Sequence, residues 1–143
     1  MSAWARQFVT PSIEGLLSEL PGESRPGVHA VRTWLAESIK DKPKLIYYNS
    51  SWRWAEQRTL HKPHSGALEE VFVILEPDRP RVAISCQRRF FEQHAISELH
   101  KGVQADVQEG VCVGRVVWVE CALESDSDAE GICSLLDTLY RAK

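Results

Sequence analysis

A chain of 143 residues with 43% hydrophobic and 26% charged residues is long enough to bury one core and too balanced in composition for extended disorder. Its formal charge of -3 argues against a dedicated nucleic-acid binder, and no apolar run approaches the roughly 18 residues that a membrane span needs. The opening MSAWARQFVTPS has no apolar stretch behind a basic start, so no signal peptide is expected and a cytoplasmic location is.

Residues 1–143 read as a single α+β domain in which residues 1–9 form a loose N-terminal segment. Thr10 and Pro11 predict an N-cap and first helical position, followed by Ile13, Leu16, Leu17 and Leu20 at helical spacing until Pro21-Gly22. A second helix is predicted from about Ser24, with Val28, Val31, Leu35 and Ile39 as its apolar stripe, Trp34 widening it and Lys42-Pro43 ending it.

The pattern then changes to period two. Residues 45–48, 52–59, 71–75 and 82–86 are β-branched or aromatic and are separated by turn residues such as Asn49-Ser50-Ser51 and Pro77-Asp78, which predicts an antiparallel meander. The stretch HKPHSGA lengthens one connection beyond a tight hairpin and is expected to project into solvent. Beyond Arg88-Arg89, the spacing of Ala95, Leu99, Val103 and Val107 predicts a helix through much of 92–109. Residues 111–123 read as one long strand, with Val113, Val117, Val119, Cys121 and Leu123 on one face and Val116 and Trp118 beside Glu120 on the other. A final helix follows the capping run Ser125-Asp126-Ser127-Asp128 and carries Ile132, Leu135, Leu136, Leu139 and Tyr140 on one side. Strands in a block bounded by helices favour α+β over an alternating arrangement, here with a sheet of about five strands.

The segment YYNSSWRWAE concentrates large side chains around one turn. Strict alternation places Trp52 and Trp54 on a common face. With Tyr48 and Trp118, and with Arg53, Arg58, Arg88 and Arg89 nearby, that face could stack a flat or anionic ligand; core packing and a dimer seam are the competing readings. Arg53 alternates away from the tryptophans and joins them only if the strand twists or bulges there.

Taken with that hairpin, the segments SIEGLLSELP, VHAVRTWLAESI and GRVVWVECALESDSDAEGICSLLDTLY resemble the YdhG-like domain superfamily over about residues 10–140. The resemblance implies a curved antiparallel sheet with helices packed on one face, in a largely bacterial group of domains without assigned activity. Some members are described as frataxin-like iron chaperones that work through acidic surface residues. The corresponding acidic set here would be Glu124, Asp126, Asp128 and Glu130, but these bunch at one helix start, where capping accounts for them.

Other constellations carry little. His61 and His64 give an HxxH spacing on a loop interrupted by Pro63, without a matching second ligand pair. His94 and His100 lie near Glu92 and Glu98 but within no GxSxG or HExxH motif, and Glu98, His100 and Lys101 read as the solvent side of a helix. The glycines form neither GxGxxG nor GxxxxGK[ST]. Cys86, Cys112, Cys121 and Cys133 form no CxxC pair, fall in apolar segments and read as inert core thiols. The basic stretch Arg79 to Arg89 contrasts with an acidic 106–137, apart from Arg115. The expectation is a binding domain rather than an enzyme, with no metal or cofactor. It would take a small molecule or a protein partner through Tyr48, Trp52, Arg53, Trp54 and Trp118. A homodimeric interaction domain and an iron-binding chaperone are the alternatives.

Overall fold

Ser12, one residue after Pro11, caps the first helix in the computed structural model, which describes residues 2–60 and 66–142. Its hydroxyl accepts from Gly15 N at 3.0 Å, and α1 runs Ile13–Ser18 rather than from Pro11. Helix α2 occupies Arg25–Ser38, where an early proline gives up an N–H that would have no intrahelical acceptor, and it buries Val28, Val31 and Leu35. The strands β1 (Lys44–Tyr47), β2 (Trp54–Thr59), β3 (Leu68–Ile74) and β4 (Arg81–Gln87) then pair in sequence, each antiparallel to the last.

The helix predicted through much of 92–109 is broken into α3 (Arg89–Gln93), a 3-10 turn at Ile96–Glu98 and α4 (Lys101–Gln108). His94, Ala95 and Leu99 are extended, and His100 starts α4 by accepting from Gly102 N on Nδ1 at 3.0 Å. This imidazole is therefore a cap, packed against α5 (Asp126–Arg141) where a Cβ on Gly131 would stand 3.2 Å from Nδ1. Leu99, Val103 and Val107 are buried as their spacing requires, whereas Ala95 is exposed.

Residues 111–123 form a hairpin and not one long strand. β5 (Val111–Val113) and β6 (Val116–Ala122) are joined by Gly114-Arg115, with Val113 directly opposite Val116. Gly114 has φ +62 and Arg115 does not have positive φ, the signature of a type II′ turn, which matches the twist of its strands. Cross-strand partners share a face, so Val111 and Val113 lie with Trp118 and Val116, and the expected grouping of Val113 with Val117 is corrected.

The sheet is thus six-stranded and antiparallel throughout, in the order β1-β2-β3-β4-β6-β5. α2, α4 and α5 pack on the face that carries Val71, Val73, Val82, Ile84, Cys86, Val117, Val119 and Cys121. The opposite face carries a smaller cluster of Ala55, Phe72, Ile74 and Ala83, against which Ile46, Trp52 and Trp118 pack. Among the described residues no helix is long and apolar enough to cross a membrane.

Candidate functional site

The hairpin between β1 and β2 decides where its rings go. The Asn49 side-chain oxygen accepts from the amides of Ser51 (2.9 Å) and Trp52 (2.7 Å), an Asx-type arrangement that closes the turn. Arg53 N then bonds Asn49 O at 2.7 Å, and Tyr48 N bonds Arg53 O at 2.9 Å. Arg53 has φ +52, in the left-handed region that side chains with a Cβ seldom enter. One residue in that conformation resets the alternation of the strand. Trp52 consequently lies on the open face and Trp54 on the helix-covered face, so the two tryptophans do not share a face as strict alternation required.

Trp54 is buried, edge-on to Tyr47 at 5.8 Å, and its indole N–H donates to Arg6 O at 2.7 Å. Arg53 turns the same way: its guanidinium donates to Ala5 O at 3.1 Å and lies 5.2 Å from the ring centre of Trp4. Trp4 is itself buried within a 3-10 turn at Ala3–Ala5 and donates from Nε1 to Trp52 O at 2.9 Å. Within the N-terminal segment, residues 4–6 bond to the hairpin, whereas Phe8 is 92% exposed. The irregularity that was to bring Arg53 to the tryptophans instead takes it, with Trp54, away from Trp52.

Tyr48, Trp52 and Trp118 do come together, and they do so around Phe72. Trp52 stacks on Tyr48 at 4.7 Å and lies 5.0 Å from Phe72 and 5.9 Å from Trp118, while Phe72 and Trp118 are 5.9 Å apart. Ala55 and Ala83 have no exposed surface although no helix among the described residues covers their face, because small residues there make room for the indole folded back over them. Trp52 and Trp118 remain half-buried and Tyr48 is exposed. The rings fill the space between one another and present a surface rather than an open cage.

Arg81 holds this arrangement in place and was hidden in a stretch read only as basic. It is buried on the open face, bonds Glu120 through Nε (3.1 Å), and bonds Glu76 (2.7 Å) and Arg79 O (3.1 Å) through Nη1. Its Nη2 donates to Ser51 O at 3.2 Å, which ties the tip of the aromatic hairpin to the sheet. An arginine so engaged offers little to an anionic ligand, while the Glu120 side chain is about half exposed at the rim. Ser85, opposite Trp118, is buried, and its hydroxyl has no hydrogen-bond partner among the described residues.

The remaining cations lie elsewhere. Arg58 is buried on the helix-covered face and donates to Asp41 O at 2.7 Å; burial lowers its pKa. Arg88 and Arg89 are exposed at the start of α3. His94 stacks on Phe90 and lies 3.8 Å from Glu98. The His61/His64 pair falls outside the described residues. In the acidic set, Ser125 accepts from Asp128 N at 3.1 Å and Asp128 accepts from Glu124 N at 3.0 Å, which is capping chemistry. Among the described residues no group of three His, Cys, Asp or Glu could hold a metal ion.

Three thiols behave as core groups. Burial pushes Cys86 up to about 12 and raises Cys121 and, less deeply placed, Cys133. Cys121 lies in hydrogen-bond contact with Asp106, whose carboxyl is raised by burial. Cys112 departs from expectation. It is exposed, because the helical layer stops short of the edge strand β5. No protein-family model, curated protein or solved structure matches the chain.

Proposed function

We propose that the chain is an interaction domain that docks a protein partner on the open face of its sheet, with Tyr48, Trp52 and Trp118 in contact and Phe72 beneath them. The observation that carries this reading is the packed yet uncovered ring cluster: Trp52 is held over the sheet by Arg81 and the Asn49 turn, and among the described residues no helix lies above it. Large rigid rings whose positions are already paid for in entropy lose little on association, which suits them to anchor an interface. A small molecule is the weaker choice because the rings close on each other. Anion recognition is weaker still, since Arg53 and Arg58 lie on the other side of the sheet and Arg81 is engaged. A YdhG-like affiliation is proposed on the shared architecture of helices on one face of an antiparallel sheet.

The test is site-specific photo-crosslinking in cells, with a benzophenone amino acid placed at Tyr48 or Trp118 and, as controls, at the exposed helix positions Ala36 and Glu37. A discrete adduct from the open-face positions alone is expected, and the captured protein, once purified, should bind the native chain at least about 10-fold more tightly than Trp52→Ala. No adduct, or the same adduct from both sides of the sheet, overturns the reading.

A further inference from the structure

The two edges of the sheet are finished differently. At the β1 edge the chain enters through Lys42-Pro43-Lys44, all exposed, and charge with proline is a standard protection against strand addition. At the β5 edge stands Val111-Cys112-Val113 with every residue exposed, Val111 by 62% and Val113 by 61%. In a two-residue hairpin the pair flanking the turn is hydrogen-bonded, so Val113 directs its amide and carbonyl at β6 and Cys112 directs its own outward.

The residues around that outward-facing strand read Glu109-Gly110-Val111-Cys112-Val113-Gly114-Arg115. Reversed about Cys112, the pattern complements itself. Valine meets valine within the strand, and at each end the Glu109 that closes α4 is brought towards the Arg115 of the second copy's β5–β6 turn. Both charged residues are exposed, and neither forms an ion pair among the described residues. The glycines have reasons inside the chain, Gly114 for its positive φ and Gly110 because a Cβ would press on Val107 O and Val117 at 3.0 Å, but they also leave the flanks open to a second backbone.

We propose that two copies of this chain associate through antiparallel β5–β5 pairing centred on Cys112. A two-fold axis perpendicular to the sheet keeps every helix on one side and places Val111 beside the second copy's Val113 on the open face. Sliding the register by two residues leaves only one valine pair and breaks both charge pairs. That restricts the pairing to one register. A three-residue strand with its rim is small against the roughly 800 Å² per partner of a standard stable interface, so a concentration-dependent equilibrium is expected rather than an obligate dimer.

Sedimentation equilibrium from about 10 to about 500 μM should show the native chain passing from monomer towards dimer. Glu109→Arg and Arg115→Glu should each weaken self-association about 10-fold, since the two-fold axis turns two attractions into two repulsions. An equimolar mixture of these two variants should associate again, because the heterodimer has two opposite-charge pairs. A short bismaleimide should link the native chain through Cys112 and fail with Cys112→Ser. A native chain that stays monomeric at the highest concentration overturns the proposal, as does self-association that neither charge variant changes. Self-association lost in Trp118→Ala but kept in both charge variants would move the seam to the aromatic face and equally overturn it.

Discussion

The left-handed conformation of Arg53 separates the two tryptophans, and substituting that one residue tests it. A residue with a Cβ is disfavoured there by about 1–2 kcal/mol, whereas glycine is not. Glycine loses about 0.4–1 kcal/mol through its greater freedom in the unfolded chain, so Arg53→Gly should be more stable than Arg53→Ala by about 0.5–1 kcal/mol. In native Arg53 the same strain is offset by a charge-assisted bond to Ala5 O and by the contact with Trp4, together about 1.5 kcal/mol at a half-buried site. The expected order of stability is therefore native, then Arg53→Gly, then Arg53→Ala. Urea unfolding followed by far-UV circular dichroism measures it, with Gln57 in the regular part of β2 as the control where alanine should exceed glycine. If Arg53→Ala equals or exceeds Arg53→Gly, the backbone at residue 53 is ordinary strand, and Trp52 and Trp54 would share a face after all.

Arg81→Met keeps the apolar stem and removes the tie to Ser51 O. It should cost about 1–3 kcal/mol and shift tryptophan emission to the red as Trp52 loosens over Ala55 and Ala83, whereas unchanged emission would mean that the Asn49 turn holds the hairpin alone. Asp106 is a carboxyl raised by burial, so the folded chain binds its proton more tightly than the unfolded chain. Its contribution to stability is thus lost as pH rises from the unfolded pKa of 3.8 through the raised folded value, and Asp106→Asn, which still offers an acceptor to Cys121, should be the more stable protein at about pH 7. Urea midpoints at about pH 7 and about pH 3 measure this: an advantage for Asn that is no larger at the higher pH would contradict burial as the dominant cause.

Periodicity carried the fold because most elements obey one rule throughout. The stripe Val28, Val31, Leu35 and the alternating Val71, Val73 and Val82, Ile84 are buried where their spacing puts them. Failures fall where one backbone angle or one side-chain bond interrupts the rule. Gly114 turns a run that reads as uninterrupted strand, and Pro77-Asp78 shows how much plainer a turn looks when its residues are not flanked by valines. The helical spacing of Ala95 and Leu99 runs across a break between α3 and α4, where His100 starts the second helix through a cap that histidine rarely supplies. The candidate surface was legible as a concentration of aromatics around YYNSSWRWAE, but its membership was not. Phe72 read as ordinary strand core, and nothing in the sequence marks Arg53 as left-handed or tells that Arg81 reaches the hairpin tip.

A six-stranded sheet with helices on one side has to do something about its other side, and this chain uses its own hairpin in place of a second layer. The arrangement links surfaces that are otherwise separate. Trp52 contributes its ring to the open face and its carbonyl to Trp4 on the far side, so one peptide unit carries strain and support between them. Arg53 and Trp54 clasp residues 5 and 6, while Arg81 holds residue 51 from the sheet. Both anchors converge on a turn closed by Asn49, which is why the rings can stay half-exposed and still keep fixed positions. Beyond Trp118 the apolar strip continues through Val116 to Val111 and Val113, past the limit of that hairpin. The hairpin rings therefore account for the centre of the open face but not for its β5 edge, and two valines left bare beside a self-complementary strand are accounted for by a second copy of the same edge.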